Sequence, residues 1–188
     1  MFYRLNEGDH VRIISMRPGG DVKAVFALLS KGAKMIEDGV KTVTGKETAF
    51  MMHPKFGSVT CCPSNIGTGM RGSVHVLVPK LIAAWGFDKI DTEARQRNCQ
   101  ARGSSGEHSE VVDRIDVSNW RRIGLPEYEL VMDMITCVNW LVEQEDAQKD
   151  PLYDLILDDQ IAKNEYPKAM QFDLLHVHHT HAVVVYSS

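Results

Sequence analysis

The chain has 188 residues, 44% hydrophobic and 24% charged, which is the composition of a folded domain of ordinary size. Its formal net charge is −4, with 21 basic and 25 acidic side chains, so a general binder of nucleic acid or of anionic membranes is not expected. No apolar run approaches the length that spans a bilayer, and the start of the chain, MFYRLNEGDH, does not resemble a signal peptide.

The sulfur and imidazole groups do not follow a disulfide or metal-binding pattern. Cys61, Cys62, Cys99 and Cys137 contain no CxxC pair, so we expect reduced thiols in a cytoplasmic protein. Four histidines near the C-terminus have no carboxylate or thiol at ligand spacing, and we predict no metal site there: His176, His178, His179 and His181.

Strands and helices are predicted to alternate along the chain. Alternating residues predict a strand at 10–16, and apolar residues at helical spacing predict a helix that begins after Asp21 and ends near Gly39. The same criteria give the remaining elements, which are strands at 55–61, 71–78 and 114–118 and helices at 80–94 and 126–147. This order fits an α/β or an α+β sheet with helical cover.

The stretch CCPSNIGTGMRGSVHV, residues 61–76, combines a thiol, a glycine-rich turn and side chains suited to phosphate. The glycines allow the backbone to approach a bound group. Arg71, Ser73 and His75 alternate along the predicted strand, so they share one of its faces. Arginine pairs bidentately with phosphate oxygens, whereas an ordinary turn beside a buried cysteine would show the same pattern. Both interpretations are open at this point.

This stretch closely resembles a signature of the phosphagen (guanidino) kinases: Cys-Pro-Ser/Thr-Asn, then Gly-Thr, Arg and a strand ending in Val-His. Three more segments match that family in order. LNEGDHVRIISMRPGGD (5–21) resembles its Asn-Glu-Glu-Asp-His-x-Arg strand, RGSSGEHSE (102–110) its substrate-closing loop, and DVSNWRRIGLPEYELV (116–131) its Asp-x-Ser-Asn, Arg-Arg-x-Gly segment. Together the four motifs are highly specific.

The resemblance implies an α+β fold in which helices flank a mostly antiparallel sheet of the glutamine-synthetase-like type. It assigns residues 1–148 to the C-terminal part of the catalytic domain and leaves 149–188 as a divergent tail. We find no counterpart of the family's N-terminal helical domain, nor of earlier strands with two further phosphate-binding arginines. We therefore expect about the C-terminal half of an enzyme, with a sheet edge or apolar face left open.

The resemblance also implies reversible transfer of the γ-phosphoryl group of MgATP to a guanidine, with the metal held by the nucleotide and not by protein ligands. The family's phosphate-binding arginines correspond to Arg12, Arg71 and Arg102. Further nucleotide contacts are expected at Gly72, Ser73, Val74, His75, Gly103, Ser104, Ser105, Gly106 and Glu107.

The guanidine is expected between Cys62, the residue directly before the proline, and Glu107 in the closing loop. Creatine-type members have valine at the position of Glu107, so the resemblance favours arginine, or a linear guanidine such as taurocyamine or lombricine. Arg121 and Arg122 are candidates for a nucleotide contact, but a solvated or sheet-pairing role is favoured for both. The expected partners are a small guanidine and MgATP, without nucleic acid or membrane, and a homodimer is left open.

One position departs from the family's motif. Gly8 stands where the family has a glutamate that holds the guanidinium. If this segment is extended, residues 8, 10 and 12 share a face, and Glu7 points away and does not substitute. The alternative is therefore a catalytically impaired nucleotide-binding or interaction module. A protein arginine kinase of the bacterial type shares the strand motifs, but the loop at 102–110 fits the small-guanidine enzymes better.

Overall fold

A computed structural model describes residues 1–103 and 114–148 of the chain, together with the backbone of a strand at 181–187. The described residues form an antiparallel sheet of six strands and a separate two-stranded ribbon. The strands are β1 (Phe2–Leu5), β2 (Val11–Pro18), β3 (Met52–His53), β4 (Gly57–Ser58), β5 (Met70–Leu77), β6 (Cys99–Gly103), β7 (Arg114–Asn119) and β8 (His181–Ser187). The helices are α1 (Val22–Thr44), α2 (Pro79–Trp85), α3 (Phe87–Gln96) and α4 (Glu127–Ala147), with a 3₁₀ turn at Pro63–Asn65.

Helix α1 confirms the predicted start but not the predicted end. The Asp21 carboxylate accepts a hydrogen bond from the Ala24 amide at 2.9 Å. Gly39 does not stop the helix, which continues to Gly45, where a left-handed φ of 67° ends it and the amide donates to the Lys41 carbonyl. Glycine inside a helix costs about 1 kcal/mol relative to alanine, and neighbouring i,i+4 ion pairs offset part of that cost.

Two other predictions need correction. Of the strand expected at 55–61, only Gly57–Ser58 form a strand, β4, which pairs with β3 across a turn at residues 54–56; Gly57, at the end of that turn, has a φ of 74°. The helix expected at 80–94 is divided into α2 and α3 by Gly86, which also has positive φ. The sequence does not predict strand β6. Its first residue directly follows a turn at Asn98, and its last two residues belong to the segment that the sequence predicts to be a loop. The predictions for β5, β7 and α4 are confirmed to within one residue.

The strand order in the main sheet is β1-β2-β8-β5-β7-β6. Strand β8 therefore lies in the middle and joins β2 to β5, with Val185 as the register partner of both Ile14 and Arg71. Residues 181–187, in the part predicted to be a divergent tail, form this strand. Residues 149–180 lie outside the described part, so the boundary predicted at 148 stays a prediction, and His176, His178 and His179 are not described.

Helices α1 and α4 both cover one face of the sheet. A Cβ at Gly72 would contact the Met134 side chain of α4 at 3.6 Å. Ile13 and Met70 both pair with Tyr186, so they share that face across β8, and both belong to the buried core. In the part of the chain that the structure describes, each helix is too short or too polar to cross a membrane.

Glu145 is a buried carboxylate that fixes α2 to α4. It is 1% exposed and accepts hydrogen bonds from the amides of Lys80 at 3.0 Å and Leu81 at 2.7 Å. These amides belong to the first turn of α2, whose N–H groups have no partner within the helix. The carboxylate therefore acts as a cap supplied by a different helix.

We predict that Glu145→Ala lowers the free energy of unfolding by about 2 kcal/mol, because two buried amide donors lose their acceptor. Urea denaturation at neutral pH measures the change. Glu143→Ala is the matched control, since Glu143 is exposed on the same helix. Equal losses in the two variants would contradict the capping role.

Candidate active site

The phosphate-suited side chains of β5 lie on the face of the sheet opposite to the helices. Gly72 faces α4, so its neighbours Arg71 and Ser73 face the other way, and His75 follows Ser73 at the same spacing. Val74 belongs to the core and is 3% exposed. The side chains of Arg71, Ser73 and His75 thus lie on the open face, with Ser73 only 2% exposed, whereas Gly72 and Val74 place only backbone there.

Asp116 lies at the centre of this face and was not singled out from the sequence. It is the register partner of His75 on one side and of Arg102 on the other. Its carboxylate forms an ion pair with Arg71, and its Oδ1 lies 3.7 Å from His75 Nε2. With Asp116 only 7% exposed, one buried carboxylate is surrounded by three basic side chains.

Arg12 lies on the same face, two strands away from Arg71. Ile14 and Arg71 share a register partner, and Arg12 is two residues before Ile14. Two strand spacings separate β2 from β5 by about 10 Å. Among the described residues, Arg12 forms an ion pair with Glu7 at 3.7 Å. The face thus carries the three arginines that the sequence assigned to phosphate.

The segment around Gly8 is a turn and not an extended strand. Leu5 pairs with Val11, Asn6 has a φ of 54°, and its amide donates to the His10 carbonyl at 3.0 Å. The face argument that excluded Glu7 is therefore wrong in its premise, because the period-two rule fails where the chain reverses. Glu7 contacts Arg4 at 2.8 Å as well as Arg12. A Cβ at Gly8 would meet no atom within 4 Å.

The exposed Cys62 and the buried Cys99 differ in the direction in which their surroundings shift the pKa of the thiol. Cys62 lies on the surface at the start of the 3₁₀ turn, with its Sγ 3.0 Å from Ser64 Oγ. Hydrogen bonds from the Ser64 side chain and backbone lower the pKa of the Cys62 thiol, Asp9 opposes that shift, and Arg122 supports it. In contrast, a hydrogen bond with Cys137 and burial raise the pKa of Cys99. Cys62 therefore has the features of a reactive thiol.

Arg122 is buried beside the other site arginines, although the sequence favours a solvated or sheet-pairing role for it over a contact with the nucleotide. It is 8% exposed, so its assignment to a solvated role is wrong, whereas Arg121 is exposed and lies over the Trp120 ring. Burial lowers the pKa of Arg122, and the nearby charges of Arg71 and Arg102 lower it further. The Arg-Arg pair was visible in the sequence, but which member is buried depends on the turn after β7.

Two glycines of the glycine-rich stretch, Gly67 and Gly72, pack closely against other parts of the protein. Gly67 has a φ of 119°, and a Cβ there would lie 2.1 Å from the Arg122 carbonyl oxygen. The Thr68 amide donates to that same oxygen at 2.8 Å. Gly72 packs against Met134, as noted above. The glycine-rich turn thus holds the Arg122 backbone beside the Cys62 loop.

Part of the predicted site is not described. Gly103 ends β6 and pairs with Ile115, and Arg102 lies just before it. Ser104, Ser105, Gly106 and Glu107 lie outside the described residues. Within the described ranges, no three His, Cys, Asp or Glu side chains come together in a way that could hold a metal ion.

The described face has the charge and donors of a phosphate site, and the sequence comparison agrees with it. Residues 1–148 match the model of the C-terminal catalytic domain of the ATP:guanido phosphotransferases. The chain belongs to this family. Its members are kinases that act on ATP and a guanidino substrate.

The relatives with curated descriptions include arginine kinases. Arginine kinase from Artemia franciscana is 42% identical over 143 residues, which are 76% of this chain and 37% of that protein. Arginine kinase from Stichopus japonicus is 44% identical over 142 residues, which are 75% of this chain and 37% of that protein. The chain therefore spans about 37% of the length of these relatives.

Solved structures of the same family share the fold. The crystal structure of lombricine kinase has a TM-score of 0.68 and 38% identity, over 77% of this chain and 38% of that one. The duplicated taurocyamine kinase from Schistosoma mansoni, with bound transition state analog components, has a TM-score of 0.61 and 35% identity, over 76% of this chain and 19% of that one. The predicted family and its α+β fold are confirmed.

We predict that Ser64→Ala slows alkylation of Cys62 by iodoacetamide about threefold near neutral pH, because a thiolate that loses its donor has a higher pKa. The rates should converge at high pH, where the thiol is ionised in both proteins. Ser64→Thr is the control that keeps a hydroxyl donor. Rates measured in a Cys61→Ser background report on Cys62, and an unchanged rate at neutral pH would contradict the role of Ser64.

Proposed function

We propose that this chain forms the nucleotide and guanidine site of an ATP:guanidino phosphotransferase, which transfers the γ-phosphoryl group of MgATP reversibly to arginine. The observation that carries the proposal is a pair of buried donors, Arg71 Nε and Arg122 Nε, with no acceptor among the described residues. A buried donor on a charged group is costly unless it is paired. Phosphate oxygens supply the acceptor and the opposite charge together.

The grouping of arginines suits phosphoryl transfer. The transition state spreads negative charge over the oxygens of the moving phosphoryl group, and catalysis depends on positioning and on positive charge around it. Arg71 and Arg102 lie near enough to Arg122 for their charges to lower its pKa. Guanidinium groups stay protonated at neutral pH and bind phosphate through paired donors. Arg12 approaches the same face from β2.

The other nucleotide contacts are proposed from the family's motifs. On β5, Ser73 and His75 would contact the nucleotide through side chains, and Gly72 and Val74 through backbone. Gly103 and the following loop, with Ser104, Ser105, Gly106 and Glu107, would close over it. Magnesium would arrive as MgATP, held by the phosphate oxygens of the nucleotide.

For the guanidine, we propose Cys62 and Glu107 as the anionic groups. The lowered pKa of Cys62 favours a thiolate, and a thiolate stabilises an adjacent guanidinium. Glu107 would complete the site from the closing loop. Arginine is preferred as the substrate because the curated relatives are arginine kinases, whereas the structural relatives act on lombricine and taurocyamine. We further propose a cytoplasmic location and leave a homodimer open.

A second candidate is an impaired nucleotide-binding or interaction module. The observation that favours it is Gly8, which leaves the hairpin loop without a carboxylate at that position. Such a module would keep the arginine face, and it would bind MgADP without turnover. Binding and turnover therefore have to be measured separately.

We predict that Arg71→Lys weakens MgADP binding about tenfold, because lysine keeps the charge beside Asp116 but loses the paired donors. Isothermal titration calorimetry measures the dissociation constant. Arg17→Lys is the matched control, since Arg17 is exposed at the end of β2. No MgADP binding by the unmodified, folded chain would refute both candidate functions.

We predict that Gly8→Glu raises the rate of ATP formation from MgADP and phosphoarginine about tenfold or more, because it adds a carboxylate where the guanidinium is expected. The substitution should fit, since a Cβ at Gly8 meets nothing within 4 Å and Gly8 has no positive φ. Gly8→Gln is the control for size without charge. An equal rate in Gly8→Glu, Gly8→Gln and the parent would contradict this role of position 8.

A further inference from the structure

Asp9 connects two loops that are far apart in the sequence. It lies in the hairpin loop between β1 and β2, next to Gly8, and is 7% exposed. Its Oδ1 accepts a hydrogen bond from the backbone amide of Cys61 at 2.5 Å, across 52 residues of sequence. One hydrogen bond thus fixes the loop before Cys62 to the loop before Arg12.

The position of this bond matters because each loop leads directly into the open face. The hairpin loop leads into β2 and Arg12, whereas the Cys61–Cys62 pair leads into the 3₁₀ turn and then β5. The thiol loop has its own internal bonds, from Thr60 Oγ1 to the Cys62 carbonyl at 2.8 Å and from the Asn65 amide to the same carbonyl at 2.9 Å. These bonds shape the loop, but they do not tie it to β2.

We propose that Asp9 is a positioning residue for Cys62, which holds the thiol-bearing loop against the hairpin that carries Arg12. A nearly buried carboxylate that accepts from an amide is among the stronger hydrogen bonds in a protein. Removing it would leave the Cys61 amide without its acceptor. The importance of this geometry for catalysis rests on the proposed function, whereas the positioning itself does not.

Asp9 also takes part in the charge balance around the thiol. Three groups face Cys62: Ser64 from its own loop, Asp9 from the hairpin and Arg122 from the segment after β7. Ser64 and Arg122 favour the thiolate, and the negative charge of Asp9 disfavours it. Asp9 therefore has two effects: its hydrogen bond holds the loop that carries Cys62, and its negative charge lowers the fraction of Cys62 that is ionised. These two effects can be separated by substitution.

Two substitutions separate position from charge. Asp9→Asn keeps an oxygen acceptor and removes the charge, whereas Asp9→Ala removes both. Asp38→Asn is the control for a lost carboxylate charge, since Asp38 is exposed on α1, where it pairs with Lys34. All variants are made in the full chain, in a Cys61→Ser background for alkylation and with Cys61 present for amide exchange.

The first readout is hydrogen exchange of the Cys61 amide, followed by NMR. We expect exchange to rise about tenfold in Asp9→Ala and to stay near the parent value in Asp9→Asn, with core amides of β5 as the internal reference. The second readout is the pH dependence of Cys62 alkylation by iodoacetamide. We expect its midpoint to fall by about half a pH unit in Asp9→Asn and to stay unchanged in Asp38→Asn.

Equal exchange of the Cys61 amide in the parent and in Asp9→Ala would overturn the proposal, and so would an unchanged or higher alkylation midpoint in Asp9→Asn. Neither readout requires turnover or nucleotide. A failure of the positioning role can therefore be distinguished from a failure of the proposed phosphotransferase function, which would appear as absence of turnover with both readouts as expected.

Discussion

The row of register partners His75, Asp116 and Arg102 is the constraint on which the candidate site depends. Three adjacent strands bring one carboxylate between basic side chains on the face that the helices leave open. Asp116 is too buried to carry its charge without cations nearby, and the Arg71 ion pair supplies one. The carboxylate thus orients an arginine and offsets part of the positive charge, while buried arginine donors are left for an anion to satisfy.

The loops beside this row of residues position Arg122 and Cys62. Gly67 packs against the Arg122 backbone, and the Arg122 guanidinium lies near both the Cys62 thiol and the other two arginines, Arg71 and Arg102. Asp9 fixes the loop that carries Cys62 to the hairpin before β2. The electrostatics of Cys62 follow from these contacts, because its neighbours carry opposite charges. Arg122 lies near both Arg71 and Cys62, so the charges of the arginine cluster and of the thiol affect the same guanidinium group.

Local patterns predicted the elements that depend on local forces. Alternation along β5 was enough to put Arg71 and His75 on one face, and the apolar stripe of α4 gave its bounds to within one residue. The sequence-based predictions that were wrong or absent concern features that depend on contacts between distant segments or on single backbone angles. The left-handed Asn6 begins a turn where the face argument for Glu7 assumed an extended chain. The burial of Arg122 required the glycine turn, and Asp116 acquired its position between basic residues only through sheet register.

The measurement that tests the account most directly is ATP formation from MgADP and phosphoarginine by the purified 188-residue chain, with and without alkylation of Cys62. If the thiol acts on the guanidine and the arginines act on the nucleotide, turnover is expected, and alkylation should remove it while MgADP binding remains. Folded protein that binds MgADP without turnover would contradict the phosphotransferase and support the impaired module. Turnover insensitive to alkylation would contradict the role of Cys62.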